Sequence, residues 1–131
     1  MKTNRKNRLR VVVYYRVGNI VDYRAGIEEQ RRHVESLTSK HGLVIDETII
    51  DVGTSTNRNR PGVQKVLRMA RDKDMGTLLM TDIARWSKDA LFARSSMIEM
   101  QQRGICIMAC DEFCGFSESD KLTSHLKAWG K

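Results

Sequence analysis

No apolar run in this 131-residue chain approaches the roughly 18 residues that a membrane-spanning helix requires. The first ten residues carry Lys2, Arg5, Lys6, Arg8 and Arg10 without an acid. Neither an apolar core nor a small-residue cleavage site follows them, so they do not read as a secretory signal. The expectation is a basic arm, residues 1–10, on a cytoplasmic protein with no membrane partner. Cysteine is scarce: Cys106, Cys110 and Cys114 are the only three, an odd number that argues against a disulfide framework. A metal site would need thiolates on one face and a further ligand such as His125; core or free thiols are the simpler assignment, and no metal is expected. Internal repeats and low-complexity tracts are absent too. Acid is in deficit, with 16 Asp and Glu against 23 Lys and Arg, for a net charge of +7. That excess favours a polyanionic partner, although part of it lies in the basic arm.

Hydrophobic residues make up 40% of the chain and charged residues 30%, ordinary values for a folded globular protein. The length suits one domain, whose usual size is about 100–150 residues. Strand and helix patterns alternate along it. Leu9 to Val17 is apolar, Ile27 to His41 helical, Leu43 to Ile50 alternating, and Gly62 to Arg71 helical. Thr77 to Met80 is again apolar, Leu91 to Arg103 helical, and Ile105 to Cys110 apolar. Such alternation predicts an α/β fold, a three-layer sandwich around a mostly parallel sheet. In the first helix Ile27, Val34 and Leu37 share a face, while Glu28, Arg31, Arg32 and Glu35 can face water, and Gly42 provides the stop. In sheets of this kind function gathers at the loops leaving the carboxyl ends of strands. Here those loops carry Arg16, Ser55, Arg60, Arg85 and Lys88.

Short segments define a more specific pattern. Tyr15-Arg16-Val17-Gly18 is followed by Gly26-Ile27-Glu28-Glu29-Gln30-Arg31, which opens the first helix. Asp51-Val52-Gly53-Thr54-Ser55 precedes Arg60-Pro61-Gly62, and Ile83-Ala84-Arg85-Trp86-Ser87-Lys88-Asp89 comes later. In this order the segments resemble the serine recombinases, the resolvase and invertase family, whose patterns are Y-x-R-V-S, S-I-x-x-Q-R, D-x-G-x-S with R-P-G, and L-D-R-L-S-R-D. The resemblance runs from about residue 9 to 112 and implies a resolvase-like catalytic-type domain over 11–112, with a short C-terminal helix or stub at 113–131. In that family a serine attacks a DNA phosphodiester and forms a phosphoserine link, with no metal or nucleotide cofactor. The chemistry rests on positioning and on positive charge around the phosphate oxygens, which guanidinium groups supply. The resemblance assigns phosphate-binding roles to Arg16, Arg60 and Arg85, pocket-shaping roles to Asp51 and Ser55, and support of the first loop to Gln30. Arg58 and Lys88 join these arginines as expected DNA contacts.

The departures from the pattern fall at the same site. Gly18 stands where the family has its nucleophilic serine and offers no oxygen. Lys88 replaces the last arginine of the pattern, Ala84 an aspartate, and Asp22 a glutamine often found in the first loop. Together they imply a degenerate active site that does not cleave DNA by itself. About a dozen residues follow Ser119, roughly 18 Å of helix, and no helix-turn-helix or zinc-ribbon pattern remains. DNA binding by this chain alone is therefore expected to be weak and non-specific. The alternative function is a non-catalytic module that dimerises or holds DNA phosphates and regulates an active recombinase. A flavodoxin-like module for a small phosphorylated ligand is a third reading, disfavoured by the missing glycine-rich fingerprint. Met97, Met100 and Met108 with Phe113, Phe116, Leu122, Leu126 and Trp129 are read as apolar surface for pairing. They lead to an expected homodimer, or a heterodimer with a longer recombinase.

Overall fold

The seven residues Val11–Val17 form strand β1, and every one of them is buried. Burial on both faces is what a central strand with helices above and below demands. The computed structural model describes residues 10–53 and 59–109. Along these, β1 is followed by α1 (Tyr23–His41), β2 (Glu47–Val52), α2 (Pro61–Arg71), β3 (Thr77–Met80), α3 (Ile83–Trp86), α4 (Ala90–Gln102) and β4 (Cys106–Ala109). The sheet order is β2-β1-β3-β4, and every pairing is parallel. All the strands therefore end at one edge, and their carboxyl-terminal loops share it.

Strand alternation divides the core into two layers. Val11, Val13 and Tyr15 face α1 and pack with Val34, Leu79 and Met108. Val12 and Tyr14 face the other way, into a larger cluster with Ile49, Val63, Val66, Leu78, Trp86, Met97 and Met100. The result is an α/β/α sandwich with α1 alone on one face and α2, α3 and α4 on the other. Pro61 opens α2, where its fixed φ and missing N–H cost nothing. Asp82 and Asp89 cap α3 and α4, accepting from the amides of Arg85 and Phe92. Gly42 takes φ 66° and closes α1 in the left-handed conformation that the sequence pattern anticipates.

Several boundaries differ from the sequence reading. Helix α1 begins at Tyr23 rather than near Gly26, because a turn from Ile20 to Tyr23 feeds directly into it. Strand β2 begins at Glu47, not Leu43. The Leu43 amide is used to cap α1 through the Thr38 carbonyl at 2.9 Å, so Leu43 and Ile45 pack against the core without joining the ladder. The four-residue α3 was not expected at all. Met97, Met100 and Met108 do not form a surface: α4 and the sheet bury them in the chain's own core. Leu91, by contrast, is exposed. The basic arm through Leu9, Ser55, Arg58, Cys110, Cys114, His125 and the segment 113–131 lie outside the described residues.

Candidate functional site

Arg16 is the last residue but one of β1 and is buried, with its side chain on the α2/α3 face. Its Nε donates to the Arg85 carbonyl at 3.0 Å and its Nη1 to the Gly53 carbonyl at 2.8 Å, which ties the ends of β1 and β2 to α3. Gln30, buried on α1, brackets the Arg16 backbone. Its Oε1 accepts from the Arg16 amide at 3.2 Å, and its Nε2 donates to the Arg16 carbonyl at 2.9 Å and the Gly26 carbonyl at 3.1 Å. A single amide side chain thereby fixes where β1 ends relative to α1.

A second network lies beneath. Asp51 is buried at the end of β2 and accepts from the amides of Gly62 at 2.7 Å and Val63 at 3.0 Å. It thus satisfies two of the free N–H groups at the start of α2, with a favourable charge for the helix dipole. The Tyr14 hydroxyl donates to the same carboxylate at 2.8 Å and accepts from Arg60 Nη1 at 2.7 Å. Arg60 is almost wholly enclosed, at 1% exposure, and its guanidinium also reaches the carbonyls of Trp86 and, at 3.4 Å, Arg85. Burial drives the Tyr14 phenol well above its ordinary pKa, and the Arg60 charge only partly opposes that. The hydroxyl therefore stays protonated and can bridge the two ions. Gly62 is required by close approach: a Cβ there would sit 2.7 to 2.8 Å from the Asp51 carboxylate atoms.

Arg85 is half-buried on α3, and its Nη1 points back to the Arg16 carbonyl at 3.4 Å. The carbonyl of Arg85 accepts from both Arg16 and Arg60, so one peptide group links all three arginines. Burial and the neighbouring Arg60 charge lower the Arg16 pKa, yet an arginine remains charged at neutral pH. Asp51 and Asp82 are the carboxylates bonded within the cluster, two against three guanidinium groups, which leaves a surplus of positive charge. Lys88 follows α3 and is exposed, and Ala84 is half-buried on α3. Gly18 is exposed beside this cluster, one residue past β1. A Cβ built on it meets no atom within 4 Å, and its φ is not positive, so the backbone there has no need of glycine. Among the described residues no group of three or more His, Cys, Asp or Glu is placed to hold a metal ion. Cys106 is half-buried, and burial pushes its thiol up to about 11.

Residues 11–129 of the sequence match the family described as the resolvase N-terminal domain. The chain belongs to this family. Solved structures of similar fold include the N-terminal catalytic domain of TP901-1 integrase, with a TM-score of 0.81 and 19% identity over 92% of this chain and 93% of that one. A resolvase family site-specific recombinase from Streptococcus pneumoniae matches with a TM-score of 0.76 and 17% identity, over 94% of this chain and 86% of that one. The C-terminal catalytic domain of ISC1926 TnpA, an IS607-like serine recombinase, gives 0.68 and 17% over 92% and 80% of the two chains. Identities this low establish a shared fold. No curated protein sequence matches the chain significantly.

The resolvase-type fold thus brings Arg16, Gln30, Asp51, Arg60 and Arg85 into one bonded cluster; Gly18 follows the end of β1, and Lys88 is exposed just past α3. Sequence reasoning missed Tyr14, Trp86 and Asp82. Of the two adjacent tyrosines, Tyr15 packs under α1, whereas Tyr14 shares the face of Arg16 and enters the site. Its spacing of two from Arg16, the period of a strand, is the signal that separates them.

Proposed function

We propose that this chain is a serine-recombinase catalytic-domain homologue of a DNA recombination or integration system that holds DNA phosphate but does not cleave DNA by itself. Residues 11–112 would form the catalytic-type domain, preceded by a basic arm. The observation that carries the reading is Gly18: Arg16, Arg60 and Arg85 are bonded into one cluster beside it, while the position that would supply the attacking oxygen bears no side chain. The cluster can stabilise charge on nonbridging phosphate oxygens, and it lacks the nucleophile that would form a phosphoserine bond. Of the expected contacts Arg16, Arg58, Arg60, Arg85 and Lys88, the proposal keeps Arg16, Arg85 and Lys88 for phosphate; Arg60 is enclosed, and Arg58 lies outside the described residues. Arg60 acts from beneath by holding α3 through the carbonyls of Trp86 and Arg85. No cofactor takes part. The biological role that fits is modulation of an active recombinase, as a homodimer or in a heterodimer with a longer relative.

Binding of duplex DNA measured across salt concentrations tests this. Binding should be sequence-independent, and log K should fall linearly with log salt. Arg85→Ala should reduce the slope by about 0.9 if Arg85 neutralises one phosphate. Binding that ignores salt, or an Arg85→Ala slope equal to that of the wild type, would contradict the assignment.

A further inference from the structure

The loop between β1 and α1 carries two adjacent aliphatic residues in water: Ile20 is 70% exposed and Val21 87%. One exposed hydrophobic residue is unremarkable on a protein surface. Two in succession on a preset tip beside a cation cluster call for a partner. The tip is held in shape by its own hydrogen bonds. The Asp22 amide donates to Asn19 Oδ1 at 3.0 Å, and the Tyr23 amide donates to the Ile20 carbonyl at 3.2 Å, which places Val21 inside a tight turn. Its base is equally fixed, because the Val17 carbonyl accepts from the Gly53 amide at 2.9 Å and Gln30 clamps Arg16. The position of the tip relative to Arg16 is thereby set before any ligand arrives, and little ordering remains to be done on binding.

We infer that Ile20 and Val21 form an apolar wedge that enters DNA beside the phosphate held at the arginine cluster and contacts the bases. This rests on the phosphate-binding reading given above. Val21 lies three residues beyond Gly18, so its Cα is at most about 11 Å from that position, a span of about three base steps. Cations flank the tip along the chain, with Arg16 at the end of β1 before it, its carbonyl met by Arg85 Nη1, and exposed Arg24 in the first turn of α1 after it. An apolar point framed by positive charge complements a duplex, which carries phosphates outside and stacked apolar faces within. Aliphatic side chains that part base steps are a known mode of DNA engagement. The Asp22 carboxylate at the same turn disfavours laying the tip along the phosphates, and so directs the aliphatic pair towards the base edges.

The test uses the full chain and a mixed-sequence duplex with 2-aminopurine at scattered positions, whose fluorescence rises when bases unstack. Wild type should raise the emission severalfold on saturation. The double variant Ile20→Ser/Val21→Ser should abolish that rise and weaken binding about a hundred-fold, since each aliphatic burial is worth about a factor of ten. Its salt slope should equal that of the wild type, because no phosphate contact is removed; circular dichroism should be unchanged, because the tip is exposed. Salt-dependent wild-type binding with no fluorescence rise, or a double variant that matches wild type in both, would overturn the wedge and leave phosphate binding standing. Absence of any wild-type binding would remove the phosphate reading and the wedge with it. Loss of self-association in sedimentation, with DNA binding unchanged, would assign the tip to a second copy of the chain and overturn the proposal.

Discussion

Tyr14→Phe removes one oxygen and leaves the ring, so it isolates the bridge between Arg60 and Asp51. In the wild type that oxygen accepts from Arg60 Nη1 at 2.7 Å and donates to Asp51 Oδ2 at 2.8 Å. Hydrogen bonds to charged groups contribute about 1.5–3 kcal/mol each. The loss is smaller than the sum, because Asp51 Oδ2 keeps the Val63 amide at 3.0 Å and Arg60 Nη1 keeps the Arg85 carbonyl at 3.4 Å. The ring remains in its edge-to-face contact with Trp86 at 5.4 Å between centroids. A net destabilisation of about 2–4 kcal/mol follows, and with a urea m-value near 2 kcal/mol/M the midpoint should move down by about 1–2 M. Urea titration followed by tryptophan emission reads this directly, since Trp86 sits at the network. DNA affinity should fall several-fold with an unchanged salt slope, because Arg60 would no longer anchor α3 firmly while every cation is retained. A midpoint shift below about 0.3 M would show that the hydroxyl is not what holds Arg60.

The same phenol predicts a dependence on alkaline pH. Its folded pKa lies above the ordinary value of 10.0, so the stability it contributes is complete below about pH 10 and lost as pH rises further, because only the unfolded chain releases the proton. Wild type should lose stability relative to Tyr14→Phe by up to about 1.4 kcal/mol per pH unit above pH 10 in paired urea titrations; equal slopes would contradict this. Gly62→Ala should destabilise by about 1–3 kcal/mol in the same assay, because its Cβ must displace the Asp51 carboxylate. A neutral result would show that α2 can shift without cost. At acid pH, Glu47 is held below its ordinary pKa chiefly by Lys65, with Arg10 adding to it, so the stability this cluster contributes should be lost as pH falls below about 4.5. Glu47→Gln should blunt that loss, and an unchanged acid limb would argue against it.

Element order and the parallel sheet were legible because β1, α2 and β3 carry strong, uninterrupted patterns, and Thr77–Met80 is read at its observed limits. Leu43 to Asp46 misled because alternation reports burial, and a residue can be buried without joining a ladder. Helix α3 was invisible because four residues are too few to show a period; its signal is chemical, the cap from Asp82. The arginines were found through motif order, which requires no knowledge of their partners. Tyr14, by contrast, is set apart from Tyr15 only by which side of β1 it occupies. The burial of Met97, Met100 and Met108 likewise depends on how α4 packs, which a count of apolar residues near the C-terminus does not reveal.

Covalent capture tests most closely whether the proposed phosphate site lacks its nucleophile. The full chain is incubated with uniformly labelled supercoiled and nicked DNA, denatured, and examined for label that migrates with protein. No adduct is expected for wild type. Gly18→Ser should fold normally, since the position is open, yet fall short of full strand exchange because Ala84 and Lys88 remain. A protein–DNA adduct formed by the wild type, with the phosphate mapped to Ser55 or any other serine, would show that the chain carries its own nucleophile.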